Sequence, residues 1–590
     1  MNGPYSLVLT SITLAIVAGI TKFFYLWRKP KTINYLFILI LLSILPVISI
    51  FRPGSYESGD LNAHVTFAIS FFRALTDGSL APRWGMDLNY TYGYPAFLFI
   101  YLLPYYLIGL LHAVGFQFLL GTKLILALSF VGSGITMYYF AKSELGKLGG
   151  LIAAIFYLYA PYHLVDLHFR VDIGEIVAFV FLPLLLLGIK RMYSLHSLKN
   201  FLFTTTVFAA LILSHPALSL ATIPLVVVYI FYLSKSLDTN KREPVSFVLL
   251  SLITGVFLTA FYWFPILVEG KFTSASIHGH QMIFPGFLSF IFSPYRWGFL
   301  FQGHNGELSF VIGYVQLLIL IATPFLLWKK VIPQKQRLLV VLLLIIVATY
   351  FCIMLEVAKP LWYIIPFIKN FQFSYRLLGV VIFCIALIAG AIIPKITNKK
   401  ILVIILVFTI LSTILNWGNR KNVPSIDEHY LLSNVAQSDK NFAVMGQAIP
   451  VWADRGTERP WMTSFPKSHL EVILGKAEIT EKQRLTTKHI YLVQTTSPTI
   501  LQENTWYFPG WKVFDNGKEI PIVITKGTNP GLMRFVLLEG THTVSVEFTD
   551  TWDRKIGNTT SLITISILAA ILLSSLFFFS QKAYSVKKKK

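Results

Sequence analysis

The run Pro95-Ala96-Phe97-Leu98-Phe99-Ile100-Tyr101-Leu102-Leu103-Pro104-Tyr105-Tyr106-Leu107-Ile108-Gly109-Leu110-Leu111-His112-Ala113-Val114-Gly115 sets the topology of everything downstream. It is apolar enough to cross a bilayer, yet two prolines interrupt it and tyrosines punctuate it, a composition suited to the headgroup level. If it crossed, the cluster Lys329, Lys330, Lys335, Arg337 would fall on the side opposite Arg28, Lys29 and Lys31. If it lies in the interface, every basic loop falls on one side: 28–31, 142–147, 190–199, 235–242, 329–337, 395–400 and 582–590. The positive-inside rule selects the second arrangement.

Outward from that run, the chain reads as a polytopic α-helical membrane protein. Of its 590 residues 55% are hydrophobic and 13% charged, and apolar runs near the bilayer-spanning length recur throughout. Spans are expected at roughly 5–27, 34–51, 121–141, 148–162, 173–190, 201–214, 217–233, 245–265, 308–328, 338–356, 377–394, 401–417 and 560–580, about thirteen in all. The first is read as a retained helix, since the N-terminus lacks the positive n-region of a secretory signal. The expected location is the cell membrane, multi-pass, with the N-terminus outside and the C-terminus cytoplasmic. The net charge of +22 sits in short loops between apolar runs, so it reads as a topological signal and not as a nucleic-acid surface. Cys352 and Cys384 lie in apolar stretches without metal-ligand spacing. No P-loop, GxSxG, HExxH or GxGxxG motif is present.

Three blocks follow: 1–417, transmembrane, with a first outer loop at 52–120; 418–558, extracytoplasmic and polar; and 559–590, a last transmembrane helix with a basic cytoplasmic tail. The second half of the outer block reads as an antiparallel β-sandwich, with strands expected at 489–496, 506–514, 520–525, 532–538 and 541–548 and a tight hairpin turn at Asp515-Asn516-Gly517. Residues 419–488 mix helix and loop signals.

Ionisable groups beside apolar runs on the outer side are few. Asp60 and His64, in Gly59-Asp60-Leu61-Asn62-Ala63-His64, are spaced to share one helix face; Asp60 is either a cap or a functional acid. Glu175 falls inside an apolar span, where an unpaired carboxylate costs several kcal/mol, so it should face a wet cavity or a cation; Arg170 is its natural partner, as a structural pair or as part of a catalytic one. His215, in Ser214-His215-Pro216, ends a helix and either lines a site or is structural. Arg376, after Phe371-Gln372-Phe373-Ser374-Tyr375, suits a lipid phosphate or snorkels to the interface.

At these residues the chain resembles the GT-C superfamily of integral-membrane glycosyltransferases, and more closely the 6-pyruvoyl-tetrahydropterin-synthase-related membrane proteins. The resemblance is carried by Gly59–His64, Gly78-Ser79-Leu80-Ala81-Pro82-Arg83-Trp84, Tyr92-Gly93-Tyr94-Pro95, Ala160-Pro161-Tyr162-His163 with Arg170 and Glu175, and Phe371–Arg376. It implies an inverting transferase of the cell envelope that moves a sugar from a polyprenyl-phosphate donor to a glycan, lipid or protein acceptor at the outer face. In that scheme Asp60, His64 and Glu175 are catalytic, with Asp60 as general base or metal ligand. Arg170, Arg376, His163, His215 and Tyr94 bind substrate. No nucleotide cofactor is implied; a divalent cation, Mg or Mn, would be held through Asp60. Many GT-C members carry paired acids in this loop, whereas Asp60 stands without that pairing, Glu57 being the nearest acid. Two other functions fit the same features: a transporter or flippase of lipid-linked glycans, and a non-enzymatic scaffold whose outer domain binds glycan.

Overall fold

Gly146 turns the longest helical run back on itself. The helix Phe118–Leu158 spans 41 residues but is broken at Gly146, whose φ of 82° is open to glycine and costly for other residues. A Cβ placed on Gly134 would come within 2.6 Å of the Leu158 side chain. In a straight helix those residues would stand about 36 Å apart, so the two halves form an antiparallel hairpin with the turn beside Lys142 and Lys147. The computed structural model describes residues 34–236, 242–278, 283–365, 371–396, 398–418, 421–435, 448–454, 462–527 and 529–587; the expected first span at 5–27 lies outside them.

The protein is mostly helical. Among the described residues seven helices are long and apolar enough to cross a membrane, or eight if the bent pair Glu243–Leu258 and Ala260–Phe272 counts as one span. Tyr35–Phe51, Leu103–Ala113, Leu198–Ser214 and Tyr314–Trp328 are apolar but shorter. About thirteen spans were expected, and those at 34–51, 201–214 and 308–328 coincide with these shorter helices. The stretch read as one span over 245–265 bends by 66° at its break, and the helix expected from 308 starts only at Tyr314, after Gly313 at φ 114°. The deciding run divides into Ala96–Phe99 and Leu103–Ala113. At 1.5 Å per residue neither spans the roughly 30 Å hydrocarbon core.

The chain divides into two compact units. One comprises Met1–Phe72, Tyr101–Val248 and Gly279–Phe442; the other Arg73–Ile100, Leu249–His278 and Ala443–Lys590. In the first, the segment leading to Asp60 is held from two sides. Ser55–Tyr56 pairs with Asn422–Val423, and the buried Lys123 ammonium donates to the Arg52 carbonyl at 2.7 Å and to that of Gly54. Glu428 caps the start of the long hairpin by accepting from the Phe118 and Leu119 N–H groups at 2.8 and 2.9 Å.

The second unit carries two antiparallel sheets. Four strands run in the order Leu470–Leu474, Thr499–Trp506, Leu532–Leu537, Val523–Ile524. Five run Ala477–Leu485, Lys488–Thr495, Gly540–Phe548, Trp511–Asp515, Lys518–Ile520. Alternation buries Tyr491, Val493, Leu501, Val513, Phe535, Val544 and Val546. Asn516 and Gly517 take the positive φ of the tight hairpin. Three strands went unforeseen, Leu470–Leu474, Ala477–Leu485 and Thr499–Trp506, and the strand expected over 506–514 begins only at Trp511. The last helix, Trp552–Lys587, packs on Ala260–Glu269, where fully buried Arg554 bridges to Glu269 at 2.9 Å.

Candidate functional site

The helix Ile173–Ser194 begins where the chain is strained. Residues Asp166–Arg170 form a wide π-type turn, and Val171 follows at φ 58° and ψ 46°, a left-handed conformation that a β-branched residue adopts only under constraint. That kink lets Asp172 cap the next helix, its Oδ1 accepting from the Glu175 N–H at 3.1 Å. It also presents two carbonyls outward: Gly59 N–H donates to Phe169 O at 2.7 Å and Asp60 N–H to Arg170 O at 2.9 Å. The first outer loop is thereby pinned to the link between two spans, and Ser58 Oγ, not Asp60, caps the helix Leu61–Thr76.

The side chains that meet there are mostly buried acids and guanidiniums. Arg170 is 2.5 Å from Asp166 Oδ1, 2.9 Å from Asp172 Oδ2 and 3.4 Å from Glu175 Oε2. Tyr162 OH donates to the same Glu175 oxygen at 2.7 Å. Arg376, carried on the turn Ser374–Leu377, lies 3.5 Å from Asp172 Oδ2 through Nη2 and 3.2 Å from Glu175 Oε1 through Nε. Ser374 fixes that turn by donating to the carbonyls of Ile283 and Met354, both at 3.0 Å.

His215 completes the group because a glycine permits it. A Cβ on Gly174 would sit 2.5 Å from the Tyr101 ring and 2.7 Å from Ser214 O, so only glycine lets both neighbours approach the helix start. The Nε2 of His215 is then 3.8 Å from Asp172 Oδ2 and from Glu175 Oε1. Its Nδ1 accepts from the Leu218 N–H at 3.1 Å, capping the following helix. Tyr101 OH donates to Asp172 Oδ1 at 3.1 Å and approaches His64 Nε2 at 3.4 Å, while His64 Nδ1 bonds the Tyr105 hydroxyl at 2.8 Å.

The charges divide unevenly. Asp60 is half-buried, and burial, reinforced by the Asp172 charge and only partly offset by Arg170 and Arg376, lifts its carboxyl to about 7; its remaining contact with water works against that lift. Burial pushes Asp166 well up, the pull of Arg170 falls short of undoing it, and the Glu175 charge adds to it. Burial alone would lift Asp172 too, but His215, Arg170 and Arg376 together hold it below the usual carboxylate range. Since burial also holds His215 down to about 4, the two guanidiniums carry that effect at neutral pH. His64 is likewise held near 4 by burial.

Of the eight residues singled out from the sequence, Asp60, His64, Arg170, Glu175, His215 and Arg376 lie within this one network of contacts and charges. His163 does not join it: Nδ1 is bonded to the Tyr157 carbonyl at 3.0 Å and the ring is enclosed by Phe130, Tyr157 and Phe179. Tyr94 belongs to the other unit, where its carbonyl accepts from the Gly85 N–H at 3.0 Å. Sequence reasoning left Asp166, Asp172, Tyr101, Tyr105 and Tyr162 unassigned. Asp166 and Arg170 do carry a signal, the four-residue spacing of an ion pair, and Asp172 carries another, an Asp directly ahead of an apolar helix.

A divalent cation was expected through Asp60. Among the described residues the grouping close enough to share one is Asp172, Glu175 and His215, whose ligating atoms lie within 4.8 Å of one another. As built it fits a metal poorly, because Asp172 Oδ2 and Glu175 Oε1 already face guanidinium nitrogens and the His215 lone pair is spent on a backbone N–H.

Comparison with known proteins places this arrangement in context. The family described as 6-pyruvoyl-tetrahydropterin synthase related domain, a membrane protein family, matches residues 99–420. An uncharacterized protein of Lactococcus lactis subsp. cremoris (strain MG1363) is 25% identical over 251 residues, 41% of either chain. Among solved structures, the arabinofuranosyltransferase AftD from Mycobacteria is similar at TM-score 0.43 and 15% identity over 65% of this chain and 26% of that one; a mutant of it gives 0.40 and 15% over 65% and 27%. The chain thus spans less than half the length of the curated relative and about a quarter of the solved one.

Proposed function

The chain belongs to the 6-pyruvoyl-tetrahydropterin-synthase-related family of membrane proteins, and from that premise we propose that it is a membrane glycosyltransferase. The reading is that residues 1–417 form the catalytic module and 418–558 an extracytoplasmic domain. The donor is a sugar on a polyprenyl phosphate. One observation carries it. The segments that resemble GT-C enzymes lie far apart in sequence, and three of them, Gly59–His64, the link holding Arg170 and Glu175, and Phe371–Arg376, touch in a single cluster of acids and guanidiniums.

In the proposed reaction Asp60 removes the proton of an acceptor hydroxyl as its oxygen attacks the anomeric carbon. The bond from that carbon to the phosphate oxygen breaks with inversion, and the electron pair leaves on the polyprenyl phosphate. Arg376 is the guanidinium for that phosphate. Arg170, which pairs with three acids at once, keeps Asp166, Asp172 and Glu175 in place. A carboxyl lifted to about 7 suits the base, since proton transfer is most efficient when the pKa lies near the working pH.

Orientation follows from charge. The helix Ile173–Ser194 starts at the cluster and ends beside Lys190 and Arg191, about 33 Å away at 1.5 Å per residue. Lys190 reaches Glu144 at 2.9 Å, next to the Gly146 turn, so these two basic loops lie about one bilayer thickness from Asp172. With the basic side taken as cytoplasmic, the reading has the cluster act at the outer face.

Asp60→Asn tests the proposal. Sugar transfer from a polyprenyl-phosphate donor should fall at least ~100-fold with thermal stability intact. Unchanged transfer in membranes carrying the variant rejects the assignment and favours a flippase or a scaffold. Mass spectrometry of co-purifying lipids identifies the donor.

A further inference from the structure

Asp172, Glu175 and His215 have the composition of a divalent-metal site, but their hydrogen bonds are wired for another cation. A neutral imidazole offers one lone pair and one N–H. The His215 lone pair is on Nδ1, which accepts from the Leu218 N–H at 3.1 Å. The hydrogen is therefore on Nε2, the nitrogen that faces both carboxylates at 3.8 Å. Metal-bound histidines have the reverse arrangement, with the lone pair on the metal and the other nitrogen donating to an acceptor. To ligate through Nε2, His215 would have to give up its cap on the helix Pro216–Ser236.

The oxygens are committed as well. Asp172 Oδ2 faces Arg170 Nη2 at 2.9 Å and Arg376 Nη2 at 3.5 Å, and Glu175 Oε1 faces Arg376 Nε at 3.2 Å. An ion bound to those oxygens at about 2.0–2.2 Å would stand against the Arg376 guanidinium with nothing between them. The planar fork of arginine, by contrast, spans two acids and cannot lose its charge.

We infer that the Arg376 guanidinium is the resident cation of the Asp172–Glu175–His215 site, in the position a divalent metal would otherwise take, and that the site works without such a metal. Two features accord with this. The loop that carries Asp60 lacks a second, paired acid. The Phe373 ring flanks the Arg376 guanidinium at 5.3 Å, a contact that suits a weakly hydrated cation better than a hydrated ion. The consequence is chemical: the negative charge of a bound phosphate would meet a fixed hydrogen-bond donor and not a Lewis acid.

The test is Mn2+ binding to the purified full-length protein, followed by EPR, with His215→Ala as the paired variant. The wild type and H215A should give the same titration, because whatever Mn2+ the protein takes up lies elsewhere. A site of one ion per chain that is present in the wild type and absent in H215A overturns the inference. Arg376→Lys and Arg376→Gln supply a second measurement. R376K, which keeps a cation between the two acids, should melt above R376Q, and an R376Q melting temperature equal to that of the wild type likewise overturns it. Should R376Q fail to accumulate folded, the Mn2+ comparison still decides. Neither readout assays sugar transfer, so its failure and the failure of the transferase reading are separate results.

Discussion

Two buried acids in this protein, Glu503 and Glu175, have opposite surroundings. Glu503 stands on the strand Thr499–Trp506 and is closed on all sides. Its Oε1 meets His489 Nδ1 at 2.8 Å, Thr505 Oγ1 at 3.0 Å and Arg484 Nη1 at 3.3 Å, and its Oε2 meets Tyr491 OH at 2.8 Å. Burial would raise its pKa, but these partners, His489 first, hold it at about 2. Around Glu175, four acids (Asp60, Asp166, Asp172 and Glu175) share two guanidiniums. Glu175 Oε1 is buried without a well-aligned hydrogen bond. One acid with its donors complete behaves as structure. Four acids with too few donors hold some of their number up in pKa, which is how a fold stores a base.

The largest effect expected to separate the two regions is on turnover. Asp60→Asn should cost ~10²–10⁴-fold in transfer, whereas Glu503→Gln should leave the turnover of folded protein unchanged and lower its melting temperature. Parallel assays and melts of the two variants make the comparison, and a turnover defect of Asp60-like size in E503Q would break it. Arg170→Ala comes next. Removing one partner from a buried ion pair costs about 3–5 kcal/mol, and here three acids lose it at once, so poor accumulation of folded protein is expected. A well-folded R170A would mean that the acids shed their charge instead, which a shifted pH profile would reveal.

The pH dependence sharpens the contrast because the signs differ. The pKa of Glu503 falls from 4.5 to about 2 on folding, so its stabilisation is present above 4.5 and lost as pH falls through about 2. That of Asp60 rises from 3.8 to about 7, so its contribution to stability is full below 3.8 and lost as pH rises through about 7. Activity runs the other way at Asp60, since the base must be ionised: transfer should climb with pH and level off above about 7. Melting temperatures from pH 4 to 9 should decline less toward the alkaline end in D60N than in wild type. An identical decline would remove Asp60 from the charged group of Asp172, Arg170 and Arg376.

The helical part of this architecture was legible because hydrophobic runs are local signals, and the run from Pro95, read as interfacial, divides into two helices each shorter than a bilayer core. The broken helix near Thr259 was not, since nothing in an apolar run marks a 66° bend. The strand Thr499–Trp506 escaped for a different reason. Gln502, Glu503 and Asn504 are all buried, so the polar residues that erase its alternation are those its neighbours satisfy across strands. At the site, the residues beside apolar runs could be picked out singly. Tyr101 and Tyr105 could not be told from interfacial tyrosines, because their role depends on a histidine about forty positions earlier and an aspartate about seventy later. Such pairings exist only once the chain has folded.

The smallest effect concerns one of those tyrosines. Tyr101 gives its hydroxyl to Asp172 Oδ1, stands 3.4 Å from His64 Nε2 and packs on the His215 ring at 5.6 Å, so it touches three members of the group while carrying no charge. Tyr101→Phe keeps the packing and removes one neutral donor, a loss of ~0.5–1.5 kcal/mol. Asp172 retains the Glu175 N–H and both guanidiniums, so the fold should not notice. If the hydroxyl merely fills space beside the cluster, transfer stays at the wild-type level. If it positions Asp172 against Arg376, transfer drops about 3- to 10-fold, in proportion to that energy, while a conservative change of similar size at the closed site, Tyr491→Phe, lowers stability and leaves turnover alone.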